Sequence, residues 1–600
     1  MRRLTALAVS ATLTIVTVAA VPAGGASPGI GNVPQGIQSD TAYETSGLNR
    51  VSNVLATTER TSCYTPEAPF ATGLAPANGY DGMSSCDAAA DTGEDLGPYA
   101  TQEGSNPGYP AGEPKLVKHH SESDIRVDPT DPSHLIAQSK WFVSAEGYNH
   151  LLGFYESRDG GKTWPVQGHV PGYEGWTDNT DPVGAFDRWG NFYSLVLPYQ
   201  FFYDKGDTHN FQINQNREPN PTIPAEVISV AVRPHTATTS SDWITTHNGN
   251  LDIVAPYDSK GREPDKQWIA IDTNRYSPFR DRIYAMWVVF TGPATAHPFV
   301  AWATARANGT HTDWSAPISL PEVSGTPQGA TYLLPHVTRD GNLYTTLVTT
   351  MPKKAYCCDV LFLDWSTDGG ITWKSKLISD TITATPFRYP NTTFRDGIEE
   401  SFAVGPRKVD GNYPLYVTWE DYSAGVVNVL LSASYDKGAT WSAPIQVNDN
   451  EHPVDAFQPN LDVAADGTVS VAFYDRRLAC PTAGAEAVAA GLALDTVNPN
   501  WSGSLPPYGA ANYCVNASIQ FYTPTLTPKG NNVRLTQHTW DPQLGAPHTS
   551  CPTCLTTFIG DYFGIASGGG NSYTTSVTTY DDGTNPHHYQ QQVIAILAIP

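Results

Sequence analysis

Three octapeptides set the terms on which this chain can fold: SRDGGKTW at 157–164, STDGGITW at 366–373 and SYDKGATW at 434–441. Each reads Ser-x-Asp-x-Gly-x-Thr-Trp. A fourth, degenerate copy ends at Trp314, because Trp314-Ser315-Ala316-Pro317-Ile318 recurs as Trp441-Ser442-Ala443-Pro444-Ile445. The string suits a tight connection between two strands. Asp bonds the backbone of its own turn, Gly takes positive φ, and Trp closes over the loop as the next strand starts. Around these turns, short β-rich runs such as 343–348, 469–474 and 593–596 alternate with turn clusters, and only 485–494 reads as a helix. The chain is all-β.

The octapeptides resemble the Asp-box, or bacterial neuraminidase repeat, of the sialidase-like β-propellers. The resemblance implies that each box lies between the third and fourth strands of a four-stranded blade, on the face away from the active site. Structural duty then falls to Ser157, Asp159, Gly161 and Trp164, to Ser366, Asp368, Gly370 and Trp373, and to Ser434, Asp436, Gly438 and Trp441. A second repeat counts the blades. First strands are expected from Asp124, Asp181, Asp265, Leu333, Glu400, Phe457 and Phe558, seven units each too thin to bury its own faces. Six is the sialidase number. The expected fold is therefore an all-β, six- or seven-bladed β-propeller, seven being favoured, over residues 120–600.

Strand parity turns the repeats into a map. Successive turns of an up-and-down blade alternate between the two ends of the propeller. With the boxes below, the starts of the first strands and the ends of the second strands lie above, around the mouth of the central channel. These positions hold Asp124 and Arg126, Asp178 and Asp181, Asp265 and Lys266, Glu399 and Glu400, Gln458 and Asn460, Asp561 and Tyr562, and Asp475 to Arg477. Capping of strand ends competes as the explanation for any single acid. Convergence of many on one mouth points to a site.

The N-terminus addresses compartment. Arg2 and Arg3 precede an apolar stretch that ends in small residues, the plan of a signal peptide spanning 1–23 with cleavage after 23 or 26. No basic stop-transfer cluster follows. Residues 27–115, rich in Pro, Gly and Ser, read as a loosely ordered leader. Export makes disulfides the default reading of the eight cysteines, with Cys63–Cys86, Cys480–Cys514 and Cys551–Cys554 as the expected bridges. A zinc site from Cys357, Cys358, Cys551 and Cys554 is the weaker alternative. The His119-His120 and His587-His588 pairs read as solvated, so no metal ligands are assigned, and structural Ca²⁺ in oxygen-rich loops is the one cofactor left open. With a net charge of −24 the chain lacks the basic surplus that nucleic-acid binding needs.

The resemblance implies a secreted, monomeric exo-glycosidase acting on extracellular glycans. The family clamps a substrate carboxylate with three arginines and uses a Tyr nucleophile, assisted by Glu, with an Asp as acid/base. Its Phe/Tyr-Arg-Ile-Pro motif is absent here; the nearest string, Phe279 to Tyr284, lies mid-chain without the Pro. Catalytic candidates are Glu399, Glu400, Asp561, Tyr562 and Asp475. Candidates for substrate binding are Arg477, Arg476, Arg126, Asp265, Lys266 and Arg282. A non-catalytic propeller that binds glycan or protein, and a polysaccharide lyase, are the alternatives.

Overall fold

In the computed structural model the alternating runs pair into seven four-stranded antiparallel sheets. The described residues are 53–56 and most of 120–600; the main segments outside them are 1–52, 57–119, 142–150, 204–216, 322–332, 491–511, 548–556 and 582–589. The innermost strands are His120–Val127, Asp178–Phe186, Glu263–Ile271, His336–Val337, Glu400–Val404, Ala456–Val463 and Gly564–Gly568. Each lies beside the next, and the last returns to the first, so the ring closes as a seven-bladed β-propeller. All seven expected first strands are innermost strands.

In six blades the strands follow one another outward in chain order. The seventh departs from this. Its outermost strand is Asn53–Ala56, which pairs antiparallel with Val593 to Ile596. A short piece of the segment read as a leader therefore completes the blade built by the C-terminus. The expected helix is confined to Gly484–Ala489 among the described residues.

Each octapeptide starts at the last residue of a third strand and leads to the fourth. In all three, the Ser hydroxyl donates to the Asp carboxylate at 2.8 Å and accepts from the N–H of the Gly four residues on, Gly161, Gly370 or Gly438. The Thr donates to the same carboxylate through N–H and hydroxyl. Trp164 and Trp373 bond the carbonyls of Gly161 and Gly370, whereas the Trp441 indole N–H finds no acceptor among the described residues. These turns also meet the preceding blade. A Cβ at Gly161 would touch Ile596, and one at Gly438 would collide with Leu363. Arg282 donates to Gly369 O at 2.6 Å and stacks on Trp302. The turns thus hold neighbouring blades together at one end of the propeller.

Candidate functional site at the channel mouth

The opposite end is built from backbone irregularities. Four innermost strands carry a register shift at their start: between Ser121 and Asp124, Thr180 and Val183, Asp265 and Trp268, and Phe457 and Asn460. Inside each bulge sits a non-glycine residue with positive φ: Glu122 at 54°, Asp181 at 54°, Lys266 at 56° and Gln458 at 46°. Left-handed backbone costs an L-residue roughly 1–2 kcal/mol, and such strain concentrates at functional sites. A β-bulge re-aims a side chain.

The re-aimed groups form one network with residues from other blades. Lys140 Nζ lies 2.9 Å from Glu122 Oε2 and donates to the Thr180 hydroxyl at 3.1 Å. That hydroxyl donates to Asp181, and Glu122 and Asp181 are themselves hydrogen-bonded. Lys266 Nζ stands 2.8 Å from Asp561 and 3.4 Å from Asp265. Arg395 reaches both oxygens of Asp561, at 2.7 and 2.5 Å. Gln458 donates its side-chain amide to Gly560 O at 2.9 Å and its backbone N–H to Glu420 Oε1 at 2.5 Å. Gly560, at φ 101°, is required here because a Cβ would lie 2.6 Å from Glu122 N.

The carboxyls diverge in acidity. Burial, then the charge of Asp181, pushes Glu122 well above the usual carboxylate range against the pull of Lys140. Burial would also raise Asp181, but the bond from Glu122 and the cations Lys140 and Lys266 hold it low. Burial likewise opposes ionisation of Asp561, and Arg395 and Lys266 outweigh it, so Asp561 is a firm carboxylate. Asp265 is raised to about 6, chiefly by desolvation, with Asp181 and Asp561 opposing its charge and Lys266 favouring it. Its side chain keeps 27% of its surface exposed, while those of Asp561 and Glu122 keep 4% and 2%. Asp265 is the acid that solvent reaches.

Of the residues singled out in the sequence, the mouth brings together Asp181, Asp265, Lys266, Gln458, Asp561 and Tyr562. Tyr562 is buried against Trp268, and its hydroxyl donates to Pro182 O at 3.0 Å. Burial and the surrounding acids push its ionisation far above the ordinary phenol range. Glu400 begins its strand fully buried, and Glu399 lies outside the described residues. Arg126 pairs with Asp124 at 2.9 Å and, with Trp268, His336, Phe402, Asn460 and Asp462, lines a cavity of about 340 Å³ farther along the innermost strands.

Other expectations are corrected. Arg282 begins a second strand and bonds an octapeptide turn, so it lies at the far end from the mouth. Arg476 is buried on Asp455, and Arg477 is held by Asp475 and Asp449, at 3.0, 2.5 and 2.6 Å. Those contacts knit the sixth blade to the connection before it. His120 is buried, stacked on Trp141 and bonded to Tyr155, not solvated. Sequence reasoning missed Glu122, Lys140 and Arg395. Cys514 is disulfide-bonded, whereas Cys63, Cys86, Cys480, Cys551 and Cys554 lie outside the described residues.

No protein-family model matches the chain, and no curated protein matches it in sequence. Among solved structures, the polysaccharide lyase Uly1 aligns over 92% of this chain and 100% of its own, at 11% identity and a TM-score of 0.42. The NanB sialidase of Streptococcus pneumoniae aligns over 82% and 70%, at 12% identity and a TM-score of 0.35. An α-L-arabinofuranosidase of Fusarium graminearum aligns over 67% and 92%, at 11% identity and a TM-score of 0.37. At these similarities no residue role carries over.

Proposed function

We propose that the channel mouth is the active site of a secreted, sialidase-like glycoside hydrolase that acts as a monomer on extracellular glycans. One observation carries this reading: neighbouring carboxyls divide into a solvent-reachable acid that keeps its proton to about pH 6, Asp265, and ionised partners, Asp181 and Asp561. Glycoside cleavage needs that division. A protonated carboxyl delivers a proton to the leaving oxygen, and an ionised one stabilises or attacks the oxocarbenium-like centre. Asp265 is the proton donor in this scheme, and Asp561 and Asp181 supply the negative charge. Lys266 and Arg395 steady acidic or hydroxyl groups of the sugar.

Tyr562 serves as a positioning residue, because a buried phenol aimed at a carbonyl is a poor nucleophile. In this reading the octapeptide turns are Asp-boxes, and Cys480 is the partner of Cys514. The test is a screen of the purified protein against fluorogenic glycosides, including a sialoside, and against polyuronates, repeated with Asp265→Asn and Asp561→Asn. Glycoside turnover that collapses in Asp265→Asn is the expected result. Unsaturated products from a polyuronate would replace hydrolysis by elimination. Glycan binding without turnover would replace the enzyme by a binding module.

A further inference from the structure

The degenerate fourth repeat is where the octapeptide end departs from its own pattern. Aligned on Trp314, the positions of Ser, Asp, Gly and Thr are held by Ala307, Gly309, His311 and Asp313. The carboxylate that organises the other turns is therefore missing from this one. Asp252 of the neighbouring second blade comes in beside it and accepts from the Trp314 indole N–H at 3.2 Å, a bond that Gly carbonyls accept in the turns at Trp164 and Trp373. His311 and Asp252 are both buried. Beside them, an Asn248-Gly249 hairpin turn with φ of 52° and 82° presents His247, whose ring stacks on His311 with centroids 4.8 Å apart and planes 8° apart. His247 Nε2 lies 2.7 Å from Asp313 Oδ1, which also accepts from Asn248.

Hydrogen-bond roles make this more than a cluster. His311 Nδ1 is 2.7 Å from the Thr312 carbonyl, which can only accept, so Nδ1 carries a hydrogen. Nε2 then directs its lone pair at Asp252 Oδ2, another acceptor, 2.6 Å away. Two acceptors face each other, and a cation must reconcile them. A proton can do so, and so can a metal ion. The surroundings match a metal's outer shell: the imidazole donates its other N–H to a backbone carbonyl, and the carboxylate is held by an indole N–H.

We propose that His247, His311 and Asp252, with Asp313 at the rim, form a site for a divalent transition-metal ion that bridges the second and third blades at the octapeptide end. One ligand atom from each of the first three lies within 4.8 Å of the others. Tetrahedral zinc with bonds of about 2.0–2.2 Å sets its ligands roughly 3.3–3.6 Å apart, within reach of side-chain rotation. Two imidazoles and carboxylates select zinc or its neighbours over Ca²⁺ and Mg²⁺, which take oxygen ligands. The site is independent of the chemistry assigned to the mouth.

Calorimetric titration of the chelator-treated full chain with Zn²⁺ tests this. The expected result is one equivalent bound at micromolar concentration or tighter, weakened at least tenfold in His247→Ala. His247 is 23% exposed, so that variant removes a ligand without opening the core. His311→Gln, judged on the fraction that circular dichroism shows folded, should lose the same equivalent. Co²⁺ loading should add a visible band of tetrahedral nitrogen and oxygen ligation, without thiolate charge transfer, that His247→Ala abolishes. Equal stoichiometry and affinity in wild type and His247→Ala, or no binding in either, would overturn the proposal.

Discussion

Replacing Lys266 by Met gives the sharpest test of the proton donor, because one cation sits between two carboxylates of opposite character. Met keeps the length of the side chain and removes the charge. Asp561 retains Arg395 at 2.5 Å and stays ionised, while Asp265 loses the cation that favours its charge. At the observed 3.4 Å separation, and an effective dielectric near 20, the attraction is about 5 kcal/mol. Asp265 is 27% exposed, so water screens much of it, leaving roughly 1–2 kcal/mol, on the order of one pH unit. Asp265 should then hold its proton to higher pH than the present value of about 6. A general acid works only while protonated, so the alkaline limb of the kcat/KM profile should move upward by about one pH unit. KM should rise as the sugar loses a cationic contact. The ¹³C carboxyl resonance of Asp265, identified by its loss in Asp265→Asn, should titrate in step and needs no substrate. An alkaline limb that stays put while that resonance moves would refute Asp265 as the donor.

Three further outcomes follow from the geometry. Asp368→Ala deletes the acceptor of Ser366, Ile371 and Thr372 and should lower stability in urea by roughly 1–3 kcal/mol, with activity per folded molecule unchanged. Although burial opposes it, those bonds hold the Asp368 carboxyl below its usual range, so this stabilisation is present above the unfolded pKa and fades as pH falls through the folded one. Arg476→Met leaves Asp455 buried without its cation and should cost about 3–5 kcal/mol by denaturant melt; a loss below 1 kcal/mol would mean that Asp455 finds water. Gly560→Ala forces a Cβ against Glu122 N and should cost roughly 2–5 kcal/mol, while Gly570→Ala, with nothing within 4 Å, should cost only about 1–2 kcal/mol for its backbone conformation. Equal melting temperatures for the two would show that the close approach at Gly560 is relieved cheaply.

The blade count was legible because each innermost strand repeats an apolar run at a similar distance from a turn, and the octapeptides mark the ends of third strands. Asn53–Ala56 was not legible, since four residues in a Gly- and Pro-rich stretch carry no sign of a partner at Val593 to Ile596. Arg395 lies on a connection rather than in a periodic run, and Lys140 sits at the end of a strand where an exposed cation is the ordinary expectation. Arg282 is different. Its place at the octapeptide end follows from parity, because second strands start where third strands finish. Its charge attracted the assignment, and its position argued against it.

Glu122 shows why the mouth itself was only half visible. Period-two reasoning runs backward from Ile125 through Asp124 and assumes that alternation continues. The bulge between Ser121 and Asp124 inserts a residue and breaks that parity, so the side chain that enters the network is Glu122, whereas Asp124 bonds Gly184 N and pairs with Arg126. The strings SESDI, TDPVG, DKQWI and FQPNL have no residue in common at the bulge: Glu, Asp, Lys and Gln occupy it in turn. What they share is conformation, a left-handed polar residue at the start of a strand, and no side-chain preference encodes that. A repeat search is tuned to what blades hold in common and so finds the scaffold. The bulge positions differ chemically, and the network draws on that difference: Glu122 is pushed to keep its proton, Asp181 is held ionised and Lys266 supplies a cation, a set that blades alike at equivalent positions would not bring together.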